Sequence, residues 1–308
     1  MNTACSARGT PPTSRRSTTA RRSPRASSAR ASARSAKCRR RLARSRSRSR
    51  RSSGSSDPRR DASPPTTVSW PVATSLFRID LPEGHHIVGD ERAGDDPCYV
   101  FFHGLGSVRA GEKSTSLLDH AQQRDRGFLR FDMRGHGESS GELGQVTVSE
   151  LIHDAVRVLE RTGPAVVVGS SLGGLVAAHA AAARPDLVER LALLAPAFGL
   201  MPNIRRQLDK DGFLHTSDGP SFFVAPRVRD DAEALDERGL PARVRVPTLV
   251  VHGTADDTIP LQVSEWFHAG IAHASKELWV VADGDHRLNT VATEIWRRVD
   301  ALTTDVKP

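Results

Sequence analysis

The sequence predicts an α/β fold in which helices cover both faces of a mostly parallel central sheet. The first observation is that short apolar stretches alternate with amphipathic ones from about residue 98 to residue 302, which is the pattern of strands joined by crossover helices. The second is that glycine and polar residues directly follow several of the apolar stretches. Because open α/β sheets bind ligands beyond the carboxyl ends of their strands, we expect functional residues at these positions.

Each element follows from its local pattern. Short apolar runs rich in β-branched residues fit strands buried on both faces, and apolar residues recurring every three to four positions fit helices packed on the sheet. The predicted strands are 98–102, 128–132, 166–169, 191–195, 248–252 and 278–281, and the predicted helices are 116–123, 148–161, 172–183, 261–269 and 291–302. The stretch from about 198 to 245 is longer than an ordinary connection. We expect it to form a short cap insertion, in which Phe213, Phe222 and Phe223 line either the substrate pocket or a small core of the cap.

The first 65 residues differ in composition from the rest of the chain. Residues 1–56 hold 17 of the 44 Lys and Arg residues and no Asp or Glu, so the remainder has 27 basic against 36 acidic residues, a net charge of −9. The tail contains almost no large apolar residue and cannot offset the entropy cost of ordering. We therefore expect residues 1–65 to be disordered and residues 66–308 to form the folded domain. The whole chain has a net charge of +8, but the excess of positive charge lies in the tail. We therefore expect no nucleic-acid binding by the folded domain and leave it open only for the basic tail.

Three interpretations of the tail remain open. Organelle transit peptides are rich in Arg and Ser and poor in acidic residues, as this segment is. A wrongly chosen start codon in a GC-rich reading frame would produce the same bias. The run RSRSRSRR at 44–51 resembles Arg-Ser segments that contact RNA, although no aromatic residue interleaves it for base stacking. We expect the protein in a mitochondrion or plastid if the tail is genuine, and in the cytoplasm otherwise.

Cysteine usage and hydropathy narrow the class of protein. Cys5, Cys38 and Cys98 are too few and too scattered for a disulfide framework, and none forms a Cys-x-x-Cys pair; a reducing compartment fits this pattern. The segment DKDG at 209–212 lacks the alternating acidic ligands of a calcium loop, so we expect neither a metal nor a cofactor. No apolar stretch reaches the roughly 20 residues needed to span a bilayer, and we expect a soluble protein without a transmembrane segment.

The strongest functional signal is a Gly-x-Ser-x-Gly pattern. The predicted strand 166–169 leads into Gly169-Ser170-Ser171-Leu172-Gly173, and an apolar helix follows. A serine at such a strand-to-helix turn sits in strained backbone, and flanking glycines let strand and helix approach each other. The turn places the hydroxyl at the sheet edge and at the positive end of the helix dipole. A glycine-rich turn without a function is the alternative, but this context predicts Ser171 as a nucleophile.

A base and an acid are expected at further strand ends, because serine reacts only when a positioned base accepts its proton. Asp256 and Asp257 follow the predicted strand 248–252, and His286 follows the predicted strand 278–281. The chain order Ser, Asp, His is the one found in this type of site. We predict His286 as the base and Asp256 as the acid that orients it, with Asp257 as the alternative acid.

Donors for a developing oxyanion are expected after the first predicted strand. The sequence FHGLGS at 102–107 contains small residues that would let backbone N–H groups face the site. The N–H groups of Leu105 and Leu172 are predicted to form this oxyanion hole. His103 and His252 are expected to brace their loops rather than to act as bases.

Five motifs together resemble the α/β-hydrolase superfamily across residues 98–290: FFHGLGS, FDMRGHGESSG, GSSLGG, HGTADDTIP and GDHR. Within it, GSSLGG and its spacing to GDHR are similar to single-domain serine esterases, which include mitochondrial acyl-protein thioesterase and acyl-glucuronide esterase members, and to serine aminopeptidase-like hydrolases. The resemblance implies the α/β-hydrolase fold, carries the catalytic roles onto Ser171, Asp256 and His286, and supports the two oxyanion donors named above. It also implies that the RGHGESSG loop shapes the fold near the site and that His136 is structural.

These features predict a serine hydrolase that cleaves carboxylic esters or thioesters through an acyl-Ser171 intermediate. The expected partner is a small-molecule or acylated substrate. A serine aminopeptidase-like peptidase is the alternative, although no buried carboxylate that could bind a substrate amine is evident in the sequence. A non-catalytic binding protein on the same fold is a further alternative, and it would be expected to have lost members of the triad.

Overall fold

A computed structural model describes residues 74–216 and 221–303. The predicted disordered tail, residues 1–65, lies outside the described residues. The strands are β1 (Ser75–Asp80), β2 (His86–Arg92), β3 (Asp95–Phe102), β4 (Arg126–Phe131), β5 (Ala165–Ser170), β6 (Val188–Leu194), β7 (Phe213–Leu214), β8 (Phe222–Phe223), β9 (Thr248–Gly253) and β10 (Lys276–Val281). The α-helices are α1 (Glu112–Gln123), α2 (Val148–Thr162), α3 (Leu172–Ala183), α4 (Pro226–Ala234), α5 (Leu240–Arg243), α6 (Leu261–Gly270) and α7 (Ala292–Ala301).

Eight strands form the main sheet, in the order β1-β2-β4-β3-β5-β6-β9-β10. The six strands from β4 to β10 in this order pair in parallel, whereas β1 pairs with β2 and β2 with β4 in antiparallel fashion. Helices cover both faces, so the predicted fold class is confirmed. Because the parallel strands share one direction, the residues that follow β3, β5, β9 and β10 meet at the same edge of the sheet.

The alternation of side chains along the strands divides the core into two layers. In β5, Val167 belongs to one buried cluster and Val166 and Val168 to the other, as the two-residue period of a strand requires. Helices α2, α3 and α6 contribute to the first cluster, and α1 and α7 to the second. Burying a side chain such as Val contributes about 1.5–3 kcal/mol, which explains why the β-branched run of β5 lies at the centre of the sheet.

The sequence-based prediction misses β1 and β2. In β1, a single residue, Phe77, is buried, and its neighbours are exposed or half-buried. An edge strand such as β1, with one solvated face, has no continuous apolar run, so it lacks the signal by which the central strands are recognised. Strand β2 lies between β1 and β4, but it also lacks such a run, because glycine and charged residues interrupt it.

The stretch between β6 and β9, in which the cap is predicted, contains β7, β8, α4, α5 and a 3₁₀ turn at Met201–Arg206. Its apolar residues Phe198, Leu214 and Val228 belong to the same cluster as α2 and α3, so they extend the main core. Phe213 and Phe223 form an edge-to-face pair with ring centroids 5.8 Å apart and remain 38% and 40% exposed. Within the described ranges, no helix has the length and apolar character needed to cross a membrane.

Candidate active site

Ser171 occupies the sharp turn between β5 and α3. Its backbone has φ 54° and ψ −120°, a region that costs a non-glycine residue free energy and persists only where the surroundings enforce it. Three neighbours do so: the Ser171 N–H donates to the carbonyl of Leu194 over 2.9 Å, and the Ser171 carbonyl accepts from the N–H groups of Gly174, over 2.9 Å, and Ala197, over 3.1 Å. The strained turn is therefore held by β6 and by the residues that follow it.

The glycines on either side of Ser171 are required by close backbone contacts. A Cβ atom at Gly169 would lie 2.4 Å from the carbonyl oxygen of Gly173. A Cβ atom at Gly173 would lie 2.3 Å from the carbonyl oxygen of Phe102 and 2.4 Å from that of His103. Because these are rigid backbone atoms, neither position tolerates a side chain without displacing a strand. The glycines thus bring β3, β5 and α3 together at the candidate nucleophile.

His286 and Asp256 are brought together from the loops after β10 and β9. The Nδ1 atom of His286 lies 2.8 Å from Oδ2 of Asp256, whose side chain is 1% exposed. The other carboxylate oxygen, Oδ1, accepts hydrogen bonds from the backbone N–H groups of Thr258 and Ile259 over 2.9 and 2.8 Å. These contacts hold the carboxylate in one orientation, and the carboxylate in turn orients the imidazole ring.

The second contact to Oδ2 comes from His252. Its Nε2 atom lies 3.2 Å from Asp256 Oδ2 and 2.9 Å from the carbonyl oxygen of Ile259, while its Nδ1 atom lies 2.7 Å from the hydroxyl of Ser264. Two acceptors face Nε2, so Nε2 carries the hydrogen and Nδ1 accepts from the serine hydroxyl. The fully buried His252 thereby braces the loop that carries Asp256, in line with the structural role expected for it.

The protonation state of Asp256 follows from these partners. Burial raises the pKa of its carboxyl group, but the hydrogen bonds from His252, His286 and the Ile259 N–H outweigh burial and hold the pKa well below its usual range. Asp256 is therefore ionised at neutral pH. An ionised acceptor at Nδ1 favours the imidazole tautomer that carries its hydrogen on Nδ1, which leaves Nε2 of His286 able to accept a proton. Asp257, the alternative acid, is exposed, and its Oδ1 accepts from the hydroxyl of Thr258.

The loop after β3 passes directly over Ser171. A Cβ atom at Gly104 would lie 3.3 Å from Ser171 Cβ and 3.9 Å from its Oγ. Among the described residues, the N–H groups of Leu105 and Leu172 donate to no other group, and the N–H of Leu172 is the first of helix α3, where no intrahelical acceptor exists. The two predicted oxyanion donors directly follow Gly104 and Ser171 in the chain, and their hydrogens are available.

Two buried histidines hold this loop in place. Nε2 of His103 accepts from the N–H of Met133 over 2.9 Å and Nδ1 lies 2.8 Å from the carbonyl of Gly104. Nε2 of His136 accepts from the N–H of Gly106 over 3.1 Å. Burial, with His136 adding to it, lowers the pKa of His103 to about 4, and burial also lowers the pKa of His136. Their ring nitrogens contact the backbone, which fits the bracing role predicted for His103 and the structural role that the resemblance implies for His136.

The chain is similar to proteins whose names describe peptidase and thioesterase activities, and to solved structures of the same fold. Residues 96–216 match the family model described as serine aminopeptidase, S33. The chain is 26% identical over 233 residues to the mitochondrial palmitoyl-protein thioesterase ABHD10 of Bos taurus, covering 71% of this chain and 76% of the relative. The solved structure of mouse α/β-hydrolase domain-containing protein 10 has a TM-score of 0.64 and 25% identity, covering 74% of this chain and all of that one.

A second solved structure, Est1E from Butyrivibrio proteoclasticus with ferulic acid bound, has a TM-score of 0.64 at 20% identity, covering 73% of this chain and 98% of that one. The chain has the α/β-hydrolase fold. The five sequence motifs lie at the ends of β3, β4, β5, β9 and β10, and these carboxyl ends share one edge of the sheet.

A charged network beside the oxyanion loop escapes sequence analysis. The backbone N–H of Arg109 donates to Oδ1 of Asp132 over 2.7 Å, and its guanidinium group also binds Asp132 and Glu138. Asp132 is fully buried, and its Oδ2 accepts from the N–H of Glu138 as well. Position gives one signal, because Asp132 directly follows β4 at the functional edge of the sheet. The partner Arg109 is 23 residues away and has no motif that marks it.

The side chains at this edge of the sheet were also compared with the requirements of a metal site. Among the described residues, no group of three or more His, Cys, Asp or Glu side chains converges as a metal site would require. Ser171 offers a hydroxyl, and the His286–Asp256 pair offers a nitrogen base with an ionised orienting group. These are the groups that acyl transfer to serine requires.

Proposed function

We propose that this α/β-hydrolase is a serine hydrolase that cleaves carboxylic esters or thioesters through an acyl-Ser171 intermediate. The observation that carries the proposal is the 2.8 Å contact between His286 Nδ1 and the buried Asp256 carboxylate. A buried, ionised acid aimed at Nδ1 serves to orient a base. The proximity of the oxyanion loop to Ser171 supports the same reaction, and so does the thioesterase name of the Bos taurus relative.

The reaction proceeds in two halves. His286 accepts the hydroxyl proton of Ser171 at Nε2 while Oγ attacks the substrate carbonyl carbon, and the N–H groups of Leu105 and Leu172 bind the oxyanion. Collapse of the tetrahedral intermediate expels the alcohol or thiol, which takes the proton from His286. Water then attacks the acyl-serine carbonyl with His286 again as base, and the carboxylic acid and free Ser171 are released.

Labelling with a fluorophosphonate probe, followed by mass mapping of the modified peptide, tests the proposal. Modification at Ser171 and its loss in Ser171→Ala are expected. Hydrolysis rates are measured on the same preparation before labelling, with esters and thioesters of matched acyl chain length. The comparison shows whether the enzyme prefers an alcohol or a thiol leaving group. Absence of labelling in protein shown to be folded by circular dichroism would refute a serine mechanism and favour a binding role.

A serine aminopeptidase-like activity is the second candidate, and the family match over residues 96–216 favours it. Such an enzyme needs a buried carboxylate for the substrate amine. Glu237 is a buried carboxylate, 4% exposed, and we propose it for this role; burial raises its pKa to about 7, and its Oε1 atom has no partner among the described residues. Its Oε2 atom accepts from the N–H of Gly199 over 2.6 Å. Release of amine from aminoacyl amides, lost in Glu237→Gln but with ester turnover retained, would establish the peptidase.

Targeting to an organelle is the third part of the proposal. The Bos taurus relative carries the word mitochondrial in its name, and the basic, Ser-rich composition of residues 1–56 is typical of a transit peptide. Amino-terminal sequencing of the native protein tests this, because cleavage within or directly after residues 1–65 is expected. An uncleaved protein in the cytoplasm would contradict it.

A further inference from the structure

The first turn of α1 is attached to the loop that carries His286. The Nζ atom of Lys113 donates to the carbonyl oxygen of Arg287, the next residue after His286, over 2.6 Å. Two residues further along the loop, the side-chain amide of Asn289 donates to Oε2 of Glu112 over 2.6 Å. Two adjacent side chains of one helix therefore bind the loop at two points.

The same helix continues directly from the oxyanion loop. Gly111 precedes α1 as its N-cap, and its N–H donates to the carbonyl of Val108 over 3.2 Å. Gly104, where an added Cβ atom would lie 3.3 Å from Ser171 Cβ, and the first residue of α1, Glu112, belong to one short stretch of chain. A short, internally hydrogen-bonded segment thus contacts the nucleophile at one end and the loop of the base at the other.

The loop that carries His286 contains strained backbone, which contacts with neighbouring elements must hold in place. Two of its non-glycine residues, Asp283 and Leu288, have positive φ angles of 53° and 55°. Such conformations persist only where neighbouring structure enforces them. Asp256 contacts the ring of His286 at Nδ1, whereas Lys113 contacts the backbone of the loop beyond that ring. The attachment to α1 therefore restrains a part of the loop that the contact with Asp256 does not reach.

Lys113 is also unusual among the basic residues of the chain, which has five lysines against 39 arginines. It is half-buried, and burial lowers the pKa of its ammonium group to about 8, with Asp285 and Glu112 favouring the charged form and Arg287 opposing it. An arginine would stay charged throughout the physiological range. The Lys113 ammonium group can therefore lose its charge within the pH range in which the enzyme works. A charged donor binds a carbonyl more strongly than a neutral one.

We propose that Lys113 is a positioning residue, which holds the 285–289 loop against the segment from Gly104 to Glu112 and so places the His286 imidazole in reach of Ser171. This inference rests on the proposed role of His286 as the base. Lys113 itself touches no reacting atom; it acts through the backbone of Arg287. Its loss allows the loop to move, and displacement of a reacting group by about 1 Å can lower a rate up to about 100-fold.

The test compares Lys113→Met with Lys276→Met. Lys276 is a matched control because its Nζ also donates to a backbone carbonyl, that of Ile271, over 2.9 Å, but at the start of β10. The rate constant of fluorophosphonate labelling at Ser171 and the kcat of an accepted ester are measured for each. Lys113→Met is expected to lower both about tenfold or more with KM little changed, and Lys276→Met to leave both within about twofold.

A pH profile separates positioning from a general loss of stability. In the wild type, both rates are expected to fall above pH about 8, where Lys113 loses its charge, towards the rate of Lys113→Met. The variant should lack this alkaline decline. If Lys113→Met is poorly folded by circular dichroism, Asn289→Ala removes the second attachment without changing charge and should lower the labelling rate several-fold.

The outcomes distinguish this inference from the proposed function. A wild-type protein that is folded but not labelled at Ser171 overturns both. A labelled wild type whose rates and pH profile are matched by Lys113→Met overturns the positioning role alone and leaves the serine mechanism standing.

Discussion

Replacing Asp256 with asparagine tests whether the Asp256 carboxylate sets the tautomer of His286. The two backbone N–H groups of Thr258 and Ile259 point at Oδ1, so in the Asp256→Asn variant the amide oxygen is constrained to that side. The amide NH₂ then faces His286 Nδ1 and His252 Nε2, where the carboxylate oxygen Oδ2 stood. The substitution keeps the shape of the side chain and reverses the polarity of one atom.

The Asp256→Asn substitution changes which ring nitrogens of His286 and His252 carry a hydrogen. His286 must accept at Nδ1, so its hydrogen moves to Nε2, and that nitrogen no longer accepts the Ser171 proton. Loss of the correct tautomer costs about 10⁴ in kcat in sites of this kind. His252 must also give up the hydrogen that it donates to Ile259 or leave two donors facing each other, which costs about 1–3 kcal/mol of stability.

Steady-state hydrolysis of an accepted ester, together with urea unfolding, measures both effects. We expect kcat to fall by about 10³–10⁴ while KM changes little, because the acid does not contact the substrate. Asp257→Asn is the matched control, since that carboxylate is exposed, and its rates should stay within about twofold. If Asp256→Asn retained more than about a tenth of wild-type kcat, or if Asp257→Asn were the more damaged variant, the assignment of the acid would be wrong.

Three further predictions follow from contacts around the same turn. Gly173→Ala places a Cβ atom 2.3 Å from the Phe102 carbonyl oxygen and should reduce the free energy of unfolding by about 1–3 kcal/mol or more, which urea unfolding measures; wild-type stability would contradict the packing described. His286→Ala should abolish fluorophosphonate labelling, whereas His136→Ala should slow it about tenfold or less through the oxyanion loop; equal losses in two folded variants would reassign the base. His103 has its pKa lowered from 6.5 to about 4 by burial, so the unfolded chain binds more protons between these two values, and stability should fall as the pH falls through this window; a His103→Gln variant should show a shallower decline, and an unchanged slope would refute the cause.

Several elements are predictable because their signals are local. The central strands and five of the helices lie within a few residues of their predicted bounds, since apolar runs and helical periodicity reflect burial of the segment itself. The short helices α4 and α5 and the strand pair β7 and β8 are missed, because each contributes few apolar residues and forms through contacts with other elements: α4 packs against α2, α5 against α3, and β7 pairs with β8. Propensity and periodicity carry little signal for such segments.

The sequence by itself determined the strand-to-helix turn at Ser171, because its two glycines, the strand before and the helix after all lie within about 20 residues and each is required by local sterics. It also determined the order of the candidate triad along the chain. Only the tertiary structure distinguishes Asp256 from Asp257, which are adjacent and chemically identical, since the path of the loop after β9 places one carboxylate against His286 and leaves the other exposed. It alone revealed the contact between Lys113 and Arg287, which are 174 residues apart. Contacts of this length depend on how the whole chain packs, and no local pattern encodes them.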